Sequence, residues 1–215
     1  MRKIYGIIIA IALIFGAFTP VEVLAKTSDI SVNAEYLIRD QDGIHSRYVV
    51  LATNASGADI SVKADFYALD ASGKPIKVVH DYADAVKNGQ NFIIYGQFKN
   101  DSIADVASFS YDIRVETTGS CRYDAIGLDV QKDDSSTLNV AGTNFSGSDV
   151  NLVNVRSVFF KDGVPVAFET VNVGDSAYVL HSGNTNTQQL AMVPVDYDDY
   201  IVTYTVSCDN PLTEF

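Results

Sequence analysis

The chain has 215 residues, 15 Lys+Arg against 27 Asp+Glu, and a formal net charge of −12. Its length supports one or two domains with a real core, and 47% hydrophobic residues argue against a disordered chain. A pI near 4.4 excludes a phosphate-neutralising nucleic-acid binder and disfavours docking on anionic membranes.

The first element in chain order is an address. Arg2 and Lys3 form a charged start, residues 4–18 are apolar and uncharged, and Val23 and Ala25 suit a cleavage before Lys26. The apolar run is about 15 residues, short of the roughly 20 that a membrane-spanning helix needs. Residues 1–25 therefore read as a secretory signal peptide, and the product is expected outside the cytoplasm, as an extracellular, cell-surface or periplasmic protein. Cleavage leaves 13 basic against 26 acidic side chains, so the acidic balance persists.

Next come strands. Ile60, Val62, Ala64, Phe66 and Ala68 are apolar at alternate positions, the period of a half-buried strand. Asp70-Ala71-Ser72-Gly73 supplies a hairpin turn, and Pro75-Ile76-Lys77-Val78-Val79 returns as the partner strand. The segments starting at Asp81 and Asp101 predict a helical turn or two each, too short to stand without packing. Phe109, Tyr111, Ile113 and Val115 alternate again, as do Tyr200, Val202, Tyr204, Val206 and Cys208 near the end.

The chain also repeats itself. Thr53-Asn54-Ala55-Ser56-Gly57 recurs as Thr143-Asn144-Phe145-Ser146-Gly147 at an offset of 90, and Gly73-Lys74-Pro75 matches Gly163-Val164-Pro165 in the same register. After Val150 the inward phase fits Val153, Val155 and Phe159 better, which predicts a one-residue slip or bulge. The expectation is an all-β protein of two tandem immunoglobulin-like β-sandwich domains after the signal peptide, at residues 26–118 and 119–215.

The run Asn54-Ala55-Ser56-Gly57, an alternating strand, then Phe66-Tyr67-Ala68-Leu69-Asp70 before Gly73-Lys74, resembles the bacterial FxLYD domain and related telokin-like, immunoglobulin-like extracellular modules. Phe66 and Asp70 match that motif, while Ala68 and Leu69 replace its Leu and Tyr. In the second half Val158-Phe159-Phe160-Lys161-Asp162-Gly163 is a weaker echo. The resemblance implies a β-sandwich on bacterial envelope proteins, with no catalytic residues.

Cys121 and Cys208 lie 87 residues apart and, outside the cytoplasm, read as a disulfide joining the first and last strands of the second unit. His45, His80 and His181 are too dispersed for a zinc site, and there is neither a Gly-x-Ser-x-Gly elbow nor a phosphate-cradling glycine loop. Asp40-Gln41-Asp42-Gly43, Asp133-Asp134 and the acids of residues 196–200 offer oxygen ligands for calcium, or solvated turns. Asn54-Ala55-Ser56 and Asn144-Phe145-Ser146 fit the N-glycosylation sequon, but their equivalent placement favours a turn-shaping role. Tyr67, Tyr82, Tyr95 and Tyr197 are the candidate interface residues.

No enzyme, cofactor or metal is expected. The sequence points to a secreted protein-interaction or spacer module of the bacterial envelope, whose partner is an envelope protein. The alternatives are a cell-wall glycan-binding module and a hydrolase or protease inhibitor.

Overall fold

The structure is a computed structural model that describes residues 29–41, 43–133, 137–190 and 196–208. The expected signal peptide lies outside them, as do Asp42, Asp134 and residues 209–215. The described residues form thirteen strands and two short 3-10 turns. No helix among them is long and apolar enough to cross a membrane.

Four antiparallel sheets result. Sheet I holds β1 (Ile30–Arg39), β2 (His45–Asn54) and β5 (Asn91–Lys99), in the order β1-β2-β5. Sheet II holds β3 (Ile60–Leu69), β4 (Pro75–Val86) and β6 (Ser108–Thr117), in the order β4-β3-β6. Sheet III holds β7 (Ile126–Lys132), β8 (Leu138–Asn144) and β12 (Thr185–Leu190), in the order β12-β8-β7. In sheet IV, β9 (Val150–Lys161) sits between β13 (Asp199–Ser207) and β10 (Val164–Asn172), with β11 (Val179–Leu180) on β9 as well. Sheets III and IV thus repeat the strand orders of I and II.

The period-two pattern of β3 places Ile60, Val62, Ala64, Phe66 and Ala68 in a core against Val50, Ala52, Phe92 and Ile94 of sheet I. The second core joins Leu138, Val140 and Leu190 of sheet III to Val153, Val155 and Phe159 of sheet IV. Phe66 faces Gly96, where a Cβ would come within 2.5 Å of it. The ladder counterparts of this pair are Ser157 and Leu190, so the bulk moves to the other strand.

The slip expected after Val150 lies at Leu152. This residue has φ 45° and is skipped by the β9–β13 ladder, which pairs Asn151 with Ser207 and Val153 with Val206. The following hairpin turns on Asp162 (φ 50°) and Gly163 (φ 75°) and is one residue shorter than the Asp70–Gly73 turn, which restores the offset. Pro165 therefore opposes Phe160 as Pro75 opposes Leu69.

The two sequons fold into one device. Asn54 is fully buried; its amide donates to the carbonyls of Ala58 and Val86, and its Oδ1 accepts from the Ser56 N–H and hydroxyl. Asn144 does the same with Ser148, Leu180 and Ser146. Each Asn closes its turn by satisfying backbone groups that would otherwise be buried without partners. Neither amide is open to modification.

A third core lies between the two sheet pairs. Ile38, Val49 and Ile93 on the outer face of sheet I meet Val158, Phe160 and Phe168 on the outer face of sheet IV, with Tyr36, Leu51, Tyr95 and Ile201 around them. The molecule is therefore a four-layer stack in the order II, I, IV, III.

Two expectations are corrected. The segment from Asp81 is the end of strand β4, because Ala83 and Ala85 alternate into the interior; only the one from Asp101 holds a short 3-10 turn, at Asn100–Ile103. The expected Cys121–Cys208 bridge is not made, and both are free thiols. Cys121 pairs with Ser207 in an antiparallel bridge and Cys208 with Ser120, so the cysteines are one residue out of register. Adjacent strand residues point to opposite faces.

Candidate binding surfaces

The densest polar chemistry sits at the seam between the sheet pairs. Arg156 on β9 and Asp81 on β4 form a two-pronged ion pair at 2.5 and 3.0 Å, each side chain only 11% exposed. Arg156 also donates to the carbonyls of Ile93 and Tyr82, while Asp81 accepts from the Tyr95 N–H. A charge pair this enclosed is tolerable only because its remaining donors and lone pairs are used.

Arg47 stands at another point of the seam. It pairs with Asp40 at 3.0 Å, donates to the Phe168 carbonyl and lies 5.4 Å from the Phe168 ring centre. Gln90 donates across to the Tyr204 carbonyl, and Lys87 binds Asp124 at 2.6 Å. A shallow groove of about 440 Å³ runs here, lined by Asn88, Gln90, Asn91, Tyr123, Thr203 and Tyr204. These contacts fasten two sheet pairs together, and the seam is occupied by the protein itself.

The four candidate tyrosines separate accordingly. Tyr95 packs on Phe168 at 4.6 Å between ring centres and belongs to the seam. Tyr197 is 5% exposed and belongs to the second core, against Phe159, with the Lys132 ammonium 3.9 Å from its ring centre. Both are corrections: the Tyr197 ring is buried in the second core, and the part-buried Tyr95 ring is engaged by the seam. Tyr82 is 54% exposed, and Tyr67 is half-buried with its hydroxyl on Asp112. These two lie on the outer face of sheet II, where Asp65 also binds His80 at 2.6 Å and Arg114 at 2.8 Å. Desolvation works against the Asp65 carboxylate, but those two partners outweigh it and hold its pKa below the ordinary value.

The acidic clusters resolve into pairs and turns. Asp196 and Asp198 face Lys161, and Asp133 caps the turn at Thr137. Among the described residues no three His, Cys, Asp or Glu side chains converge as metal ligands. His181 touches Asp149 at 2.9 Å and Asp175 at 3.5 Å, and these carboxylates, Asp149 first, raise its pKa above that of a free imidazole. Glu35 enters the first core, where it accepts from the hydroxyls of Tyr48 and Tyr111. Burial first, then Glu35, pushes both phenols far up.

One feature on the outside has no counterpart in the other half. The outer face of sheet III is a grid in which Gln131, Asn139 and Gln189 form one row, Asp129, Ala141 and Thr187 the next, and Gly127, Thr143 and Thr185 the third. Phe145, 76% exposed, rests on Gly127, where a Cβ would lie 2.6 Å from its ring. Sequence reasoning passed over Phe145 as part of a turn; the signal was that the repeat has Ala55 at the same position.

No protein-family profile matches the chain, and no curated protein does. Among solved structures it is similar to red sea bream transglutaminase, at 10% identity and TM-score 0.27, covering 77% of this chain and 27% of that one. A β-galacturonidase of Eisenbergiella tayi is similar at 11% identity and TM-score 0.22, with 76% and 34% covered. So is an Amycolatopsis orientalis exo-chitosanase, at 11% identity and TM-score 0.20, with 75% and 21% covered. The chain spans about a fifth to a third of the length of these structures. Likeness at this level carries no argument about function.

Proposed function

We propose that this chain is a non-catalytic binding or spacing module of the bacterial envelope, made of two tandem immunoglobulin-like sandwiches at residues 26–118 and 119–215 and exported by the signal peptide at residues 1–25. The observation that carries it is the seam. An apolar core and the Arg156–Asp81 pair join the sandwiches face to face, making a rigid body that holds its two outermost sheets at opposite ends. A fixed spacing with open faces suits recognition of extended or flat partners, whereas small-molecule sites are concave and enclosed. The repeated Asn turns and shared strand orders support the tandem, and the FxLYD resemblance supports an envelope setting.

The test is capture from envelope fractions by the purified chain. Retention on insoluble wall polymer, or recovery of one defined soluble protein at fixed stoichiometry, is the expected result. Turnover of an envelope polymer by the chain contradicts the proposal, and capture of nothing removes the binding role and leaves the spacing one.

A further inference from the structure

The outer face of sheet III and the phenylalanine at its corner have no role in folding that the rest of the molecule explains. Asn139, Ala141 and Thr143 alternate with the buried Leu138, Val140 and Gly142, so the face is presented to solvent by the same pleat that builds the core. Its neighbours Asp129, Gln131, Thr185, Thr187 and Gln189 are exposed. Strands stand about 4.8 Å apart, and alternate residues along one strand about 6.6 Å, so three rows on three strands span roughly 10 by 13 Å. That is the footprint of two or three sugar residues.

The chemistry of the grid is narrow. It carries amides and hydroxyls, one carboxylate at Asp129, and no Lys or Arg. The side chains lie within reach of one another: Gln189 donates to Asn139 at 3.1 Å, Gln131 to Asp129 at 2.7 Å, and Thr143 and Thr185 share a hydrogen at 2.7 Å. Such an array matches a ligand dense in neutral hydroxyl donors and acceptors. A polyanion finds no cation here and meets a chain of net charge −12.

Phe145 supplies the apolar part. Its turn is closed by Asn144 and Ser146, just as Asn54 and Ser56 close the first turn around Ala55, so the turn does not require an aromatic ring. Gly127 lets that ring settle against the strand backbone, whereas its ladder counterpart in sheet I is Ser31. The negative face of an aromatic ring attracts the polarised C–H groups on one side of a pyranose.

We propose that the outer face of sheet III is a platform for a neutral glycan, with Phe145 as the stacking ring and Gln131, Asn139 and Gln189 as its hydrogen-bonding row. This rests on the binding-module function proposed above and names its ligand class.

The test is affinity electrophoresis of the purified full chain in native gels containing mixed-linkage β-glucan, galactomannan, hydroxyethyl cellulose or glycol chitin, with polygalacturonate as the anionic probe. At least one neutral polymer retards the chain and polygalacturonate does not. Phe145→Ala weakens the retardation at least tenfold, and Gly127→Ala and Gln189→Ala weaken it severalfold. Tyr82→Ala, at the opposite end of the stack, leaves it unchanged. Melting curves of the variants confirm that Phe145→Ala, altering a residue 76% exposed, is folded. No retardation by any neutral polymer overturns the platform, even where envelope capture recovers a protein and the module itself stands. Retardation that survives Phe145→Ala, or is lost equally in Tyr82→Ala, overturns it too.

Discussion

Sheets I and III share a strand order and differ in what their outer faces carry. Val49, Leu51, Ile93 and Tyr95 on sheet I occupy the ladder positions of Asn139, Ala141, Thr187 and Gln189 on sheet III. Sheets II and IV mirror this, with Asp65, Tyr67, Val78 and Ser110 on the open face standing where Arg156, Val158, Phe168 and Ile201 stand at the seam. One backbone lattice thus carries a docking face or a solvated face according to the side chains at alternate positions.

Truncating an apolar side chain on each face should have very unequal costs. Phe168→Ala at the seam is expected to cost about 3–5 kcal/mol in urea unfolding. Val78→Ala, at its exposed counterpart, is expected to cost within about 0.5 kcal/mol. Equal costs would mean that the seam is not a core.

Arg156→Ala strands Asp81 in an enclosed site and is expected to cost about 3 kcal/mol. Removing both partners costs less than the sum of the single changes, because no buried charge is then left behind. An additive pair would show that the two side chains do not depend on each other.

Exchanging the face chemistry follows. Val49→Asn places an amide in a fully buried position and is expected to cost about 3 kcal/mol, from lost apolar burial and an unpaired polar group. Asn139→Val lies at the same lattice position on the open face and is expected to stay within about 0.5 kcal/mol.

The smallest effect concerns the turns that follow β4 and β11. His181 occupies the place of Lys87, as Gly183 does that of Gly89, both with positive φ. Asp149 and then Asp175 raise the His181 pKa above 6.5 in the folded chain. The resulting stabilisation is full below the unfolded value of about 6.5 and is lost as pH rises through the folded value. Lys87, held charged by Asp124, shows no such dependence near neutrality. An NMR titration should place the His181 midpoint above 6.5 and lower it in Asp149→Asn; a midpoint at or below 6.5 in the unaltered chain contradicts the contact.

Much of the fold was legible because burial on one face writes itself as alternation. The strand at Ile60–Leu69, the Asn-x-Ser turns and the slip at Leu152 all follow from local pattern. The seam went unread, although it has a signal of its own. Tyr48, Val49, Val50, Leu51 and Ala52 are apolar without a break, the mark of a strand covered on both faces, whereas the matching Leu138–Gly142 stretch alternates. Tyr197 misled because an aromatic between Asp196 and Asp198 looks exposed, and Tyr95 because only the opposing sheet, which the sequence does not place, covers its ring. The cysteines misled because compartment and parity suggest a bridge, while register decides which face each thiol takes.

The central claim is that the two sheet pairs form one rigid body through the I–IV seam. Backbone 15N relaxation of the full chain tests it most directly. The account predicts a single rotational correlation time for amides in sheets I and II and in sheets III and IV, at the value of the whole chain. Two shorter, separate correlation times would mean that the halves tumble independently and that the seam does not hold.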